Sequence, residues 1–193
     1  MKNLLQFTSL IIGPLLGAVA TLFWEGDRYG VTAGVLIVIS SALWVYGLIG
    51  VWERVAARRP WLGHPGLLLA IVGCTGGIAF GMQGFFEGIF AVSGERSLEA
   101  AAEHPIASAL VLWLPGPAMP LCIAGLGIAL AWTRLAPWWL AALLIAAGVA
   151  FPLSRISRTA AIAHVADLLI LAAFAILATL LLKGRLDRAP TPA

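Results

Sequence analysis

The chain reads as an all-α integral membrane protein with six transmembrane helices, and three observations predict it. Of its 193 residues 61% are hydrophobic and only 11% charged, with a mean hydropathy of +0.98, which leaves too little polar surface to cover a water-soluble fold. The apolar residues fall into six runs, near 8–24, 31–52, 66–92, 105–132, 137–153 and 159–182. At ~1.5 Å per residue such runs cross the ~30 Å hydrocarbon layer as helices. They are continuous rather than alternating, which excludes barrel strands, and a helix satisfies its own backbone polar groups in lipid.

The first run follows Lys2 and carries Gly13-Pro14. Ala18-Val19-Ala20 has the form of a signal-peptide cleavage site, but the basic region is weak and apolar residues continue through Trp24, so the run is read as a retained helix. The second run ends before Arg54, Arg58 and Arg59, and the stretch 53–65 is expected to lie outside the membrane.

The third run holds Gly73, Gly77, Gly81, Gly84 and Gly88, spaced by four residues at every step but one. Such spacing strips side chains from one helix face and lets a neighbouring backbone approach. Packing within the bundle is the first expectation, and a homo-oligomer contact the second. Gln83 and Glu87 lie four apart and form a polar stripe beside the glycines, so the amide is placed to bond the carboxyl group.

In the fourth run, Pro115, Gly116, Pro117 and Pro120 fall near mid-membrane. Each proline removes a backbone donor and clashes one turn back, so this helix is expected to kink or break. Irregular backbone at that depth survives against protein or a wet cavity and supplies ion and substrate sites in transporters. A kink that merely shapes the bundle is the plainer alternative.

The fifth run begins at Trp138-Trp139 and ends in Ser154-Arg155-Ile156-Ser157-Arg158; the sixth contains His164 and Asp167. Residues 1–184 form one expected domain, and 185–193, with Pro190 and Pro192, a short polar tail.

With both termini cytoplasmic, the inner side holds Lys2, Arg54, Arg58, Arg59, Arg134, Lys183, Arg185 and Arg188, and the outer side Arg28, Arg96, Arg155 and Arg158. Eight against four, together the 12 basic residues of the chain, favours that orientation. Trp52, Trp61, Trp132, Trp138 and Trp139 then cluster toward the inner interface. The exceptions are Arg155 and Arg158. They are expected to pair with the acidic stretch Glu95–Glu103, to reach inward toward Glu87 or Asp167, to hold an anionic solute, or to rest among lipid headgroups.

Glu87 and Asp167 carry the functional reading. A carboxyl group near mid-bilayer costs ~2.5–3.5 kcal/mol on insertion scales, so it normally faces the bundle interior and marks a function. His164 and Asp167 are three apart and share a helix face, an arrangement suited to a proton relay or to a structural hydrogen-bonded pair. The candidate substrate- or proton-binding residues are therefore Glu87, Asp167, His164, Gln83, Arg155 and Arg158.

No cofactor and no metal site is expected: the paired ligand motifs of di-metal bundles and zinc proteins are missing, and His164 alone lies at a depth suited to a haem ligand. There is no G-x-S-x-G, H-E-x-x-H or P-loop motif, and Lys2 and Lys183 lie at helix edges, where they cannot carry retinal. The basic residues at span ends are membrane topology, so nucleic acid is not an expected partner. Cys74 and Cys122 read as small buried apolar groups.

The leading expectation is a small permease or proton-linked translocator of a small polar or anionic solute, with a polar site in the outer half of the bundle. The alternatives are a non-catalytic accessory or assembly subunit bound to a partner membrane protein, and an intramembrane or lipid-modifying enzyme using His164 and Asp167. The expected location is a cell membrane, a bacterial plasma membrane in particular.

Overall fold

The computed structural model describes residues 1–26, 29–157 and 159–187. Arg28, Arg158 and Arg188 lie outside them, as do Pro190 and Pro192 of the tail. The described residues are all-helical: α1 (Lys2–Thr21), α2 (Gly30–Arg58), α3 (Pro60–Ile89), α4 (Gly94–Ala102), α5 (Pro105–Ser108), a π-helical turn (Ala109–Trp113), α6 (Pro115–Trp132), α7 (Trp138–Ser157) and α8 (Ala160–Leu182). Six spans are long and apolar enough to cross a membrane, with α5, the π turn and α6 together making the fourth.

The spans form a ring in chain order. Each packs on the next, and α8 closes the ring against α1. The seam between α2 and α3 is the most extensive, and glycine explains it. A Cβ on Gly34 would stand 2.5 Å from the Phe85 amide nitrogen and 2.6 Å from the Gly81 carbonyl oxygen, so the two backbones are in direct contact. Gly77 meets Ser41, Gly84 meets Tyr29 and Gly88 meets Val31, all on the α2 side, whereas Gly73 meets Met119 of α6. The glycine stripe thus faces two neighbours of its own chain.

Several boundaries differ from the sequence reading. The stretch 53–65 is helical but for Arg59, which takes an extended φ of −143° and ψ of 86° before Pro60. Proline disfavours the α region in the residue before it, and its missing N–H is harmless at a helix start. The extramembrane stretch after α3 carries α4, N-capped by Ser93, whose Oγ accepts from the Arg96 amide at 3.3 Å. Helix α7 runs four residues past the end of the fifth apolar run, so Arg155 lies in its last turn rather than in a loop.

Around the three prolines, Leu114 donates its amide to the Ala109 carbonyl at 2.8 Å, an i to i−5 bond. Pro115 cannot donate and its ring presses on the preceding turn, and the wider π turn accommodates both.

The half of the ring nearer the chain termini is filled. Leu48, Ile123, Leu126, Leu144, Phe174 and Leu177 are fully buried there. Trp44 meets Phe174 edge-on at 4.9 Å. Trp52, expected at the interface, is only 2% exposed and donates Nε1 to Cys122 Sγ at 3.3 Å, so it belongs to this core. The other four tryptophans of the expected belt are exposed, and Trp61 meets Trp132 edge-on at 5.5 Å.

The same end is tied by charge. Arg54 donates to Asp187 Oδ1 at 2.6 Å, to the Gly50 carbonyl at 2.7 Å, to Asn3 Oδ1 at 2.9 Å and to Gln6 Oε1 at 3.0 Å. Arg54, Arg58, Arg59 and Arg134 line a cleft of about 720 Å³ beside it.

Candidate functional site

The opposite half of the ring encloses a cavity of about 920 Å³. Every span contributes to its wall, and Glu87, Gln83, Arg155, Asp167, Gly116, Pro117 and Pro120 all line it. Three turns of one α3 face supply Gly77, Phe80, Gln83 and Glu87, as the helical repeat dictates.

Two polar clusters stand in this largely apolar wall. In the first, Arg155 Nη2 donates to Asp167 Oδ1 at 2.6 Å, and the Thr21 hydroxyl donates to Oδ2 of the same carboxylate at 2.6 Å. Arg155 Nη1 lies 3.3 Å from Thr21 Oγ1, which closes a triangle between α1, α7 and α8. The guanidinium also covers two aromatic faces, 5.0 Å from the Trp24 ring centre and 5.1 Å from that of Phe151. Asp167 is the eighth residue of α8 and 4% exposed, so the cation reaches inward along α7 to meet it. Of the alternatives open for Arg155, inward pairing is the one the geometry displays.

In the second cluster, Gln83 Nε2 donates to Glu87 Oε1 at 2.8 Å and to Ser97 Oγ at 3.1 Å. The latter bond ties α4 to the C-terminal end of α3, and Leu98 of α4 joins the cavity wall. Glu87 is 5% exposed, and among the described residues no arginine or lysine lies within ion-pairing distance of it. The two carboxylates therefore differ in kind: one is neutralised by a guanidinium and the other faces only an amide.

The wall contains further unsatisfied polar atoms. Trp24 Nε1, Trp44 Nε1 and Gln83 Oε1 are buried without a hydrogen-bond partner among the described residues, and their three side chains line the cavity. Polar atoms on a cavity wall are open to hydrogen bonds from water or from a solute inside it.

The cavity also reaches the outer surface of the ring. Trp113 and Leu121 of the fourth span, with Val149, Leu153 and Ile156 of α7, line it while being at least half exposed. Farther down, the same two helices are in close contact, with a Cβ on Gly148 falling 2.7 Å from the Ala124 amide nitrogen and one on Gly127 2.6 Å from the Ala141 carbonyl. The seam is therefore closed from Pro120 downward, where a Cβ on Gly148 would also stand 2.9 Å from the Pro120 carbonyl oxygen, and above it the cavity wall continues onto exposed side chains.

His164 stands apart. It is partly exposed on α8, does not line the cavity, and makes no hydrogen bond with Asp167 among the described residues. Arg158 lies outside the described residues. Sequence reasoning missed Thr21, Trp24, Ser97 and Tyr29; a hydroxyl in the last turn of the first span was the one signal available for Thr21. No group of three His, Cys, Asp or Glu among the described residues is placed to hold a metal ion. No family model, no curated protein and no solved structure matches this chain.

Proposed function

We propose that the protein is a small permease, seated in a membrane by its six apolar spans and binding its solute in the 920 Å³ cavity. One observation carries the reading. The buried carboxylates, the Arg155 guanidinium and the proline-rich turn of the fourth span line a single cavity, which ends on a closed apolar core. A binding site that reaches the surface between the fourth span and α7 and is sealed toward the apolar core is an arrangement from which access can alternate.

The termini and the cavity take opposite sides of the membrane in this proposal, with the termini inside. The arginine cleft formed by Arg54, Arg58, Arg59 and Arg134 supports that orientation, because basic residues concentrate on the cytoplasmic face. The π turn before Pro115 is the moving part: a wide turn that lacks one amide donor exchanges with regular helix at small cost, bending the fourth span against α3 and α7. Glu87 is the group that exchanges its charge partner, while Asp167 is held by Arg155.

Single-cysteine labelling tests this. With Cys74 and Cys122 replaced by alanine and Ser41→Cys placed in the cavity wall, a membrane-impermeant thiol reagent applied on the termini side is expected to reach position 41, and a membrane-permeant one to reach it through the lipid as well. Labelling that never occurs from the termini side overturns the permease reading and favours an accessory subunit.

A further inference from the structure

The charges on the cavity wall are unevenly matched. The wall's described acidic and basic residues are two carboxylates, Glu87 and Asp167, against one guanidinium, Arg155, which leaves one carboxylate without a countercharge among them. Arg155 is unsuited to hold an anion. Its Nη2 and Nη1 are directed at Asp167 and Thr21, and its ring-facing surfaces rest on Trp24 and Phe151. Glu87, by contrast, has only an amide donor among the described residues, and aromatic side chains line the cavity beside and below it. Tyr29 packs on Gly84, one turn below Glu87 on α3, and Phe80 lies two turns below, against Gly116. Trp44 and Trp113 complete the aromatic wall.

A buried carboxylate inside an aromatic enclosure attracts a cation through both its charge and the negative ring faces. The remaining wall is largely apolar, and above Pro120 it continues onto exposed side chains of the fourth span and α7, while Leu98 of α4 joins it on another side. A solute suited to this route carries its own apolar surface. We infer that the cavity binds a lipophilic organic cation, a bulky ammonium or phosphonium ion, with its charge beside Glu87 and its apolar groups against Tyr29, Phe80 and Trp113, reached sideways between the fourth span and α7. The inference rests on the permease reading for the identity of the site and gives that reading its substrate class. Its volume, within the ~300–1,000 Å³ of small-molecule sites, suits such an ion.

Equilibrium binding to the full chain in nanodiscs tests it, with protein-free nanodiscs subtracted. The probes are tetraphenylphosphonium, the near-isosteric anion tetraphenylborate, and neutral tetraphenylmethane. The wild-type protein is expected to bind the cation about tenfold or more tightly than either of the others. Glu87→Gln is expected to erase most of that preference, and Glu87→Asp to retain it.

Equal binding of cation and anion by the wild-type protein overturns the inference, and that comparison requires no variant to fold. So does an undiminished preference in a Glu87→Gln protein that unfolds at the wild-type temperature. Selective binding of the cation with position 41 closed to the inner face refutes the permease reading and leaves this inference standing. Labelling of position 41 from the inner face without cation preference does the reverse.

Discussion

Arg155 and Asp167 form a bidirectional anchor between α7 and α8: a guanidinium nitrogen 2.6 Å from Oδ1, with the Thr21 hydroxyl 2.6 Å from Oδ2. The carboxylate is 4% exposed and the guanidinium side chain 20% exposed, so both ions are largely removed from water. Removing one partner of such a pair leaves an uncompensated charge, which costs far more than the pair contributes. Asp167→Ala and Arg155→Ala are each expected to destabilise the protein by ~3 kcal/mol, read as a lowered unfolding temperature in detergent. Arg155→Met combined with Asp167→Leu should recover most of that loss. Additive losses in the double variant would contradict the pairing.

The α2–α3 seam predicts a contrast between glycines. Gly34→Val places a side chain into the Phe85 amide and the Gly81 carbonyl, which are backbone and cannot yield, so a loss of ~3 kcal/mol or failure to fold is expected. Gly125→Ala meets nothing within 4 Å and should leave stability unchanged or slightly raised. Thermal unfolding of the two variants side by side checks this.

At the end carrying the termini, Arg54 joins Asn3, Gln6, Gly50 and Asp187. Arg54→Met should release α1 and the segment after α8, with a loss of ~2 kcal/mol for several charged hydrogen bonds. Hydrogen exchange is expected to accelerate at residues 2–6 and near 187 while the amides of α6 keep their protection. Uniform acceleration would instead indicate global destabilisation.

Pro115→Ala restores an amide donor at the π turn. Regular α-helix is then favoured across 109–118, so stability should rise by ~1 kcal/mol and labelling of Ser41→Cys from the inner face should slow. A faster inner-face reaction would exclude the π turn as the moving element.

Composition and run length were enough to predict six spans, because insertion into lipid depends on apolar length alone. The glycine repeat of the third run and the Gln83–Glu87 pair were equally legible, since both follow from the helical period. Arg155 was visible as a breach of the charge bias, and its partner was one of those named for it. Other features depend on which helices become neighbours. Thr21 and Trp24 reach Asp167 and Arg155 only because α8 closes against α1, a contact between residues more than 130 positions apart. His164 shares a helix with Asp167, but three residues of helix rotate it by about 60° away from the cavity-facing side, and periodicity alone does not reveal which of two adjacent positions turns inward. Trp52 had the composition of an interfacial residue, yet α2 continues past it to Arg58, which carries the helix end, and therefore the interface, farther along.

The central claim is that Glu87 is a carboxyl group without a countercharge among the described residues, in a cavity reached from lipid rather than from water. Carbodiimide labelling mapped by mass spectrometry tests it most directly. Hydrophobic dicyclohexylcarbodiimide is expected to modify Glu87, with tetraphenylphosphonium protecting it, while a water-soluble carbodiimide modifies the exposed Glu95, Glu99 and Glu103 and spares Glu87. Modification of Glu87 by the water-soluble reagent as fast as those three, or by neither reagent, would contradict the account.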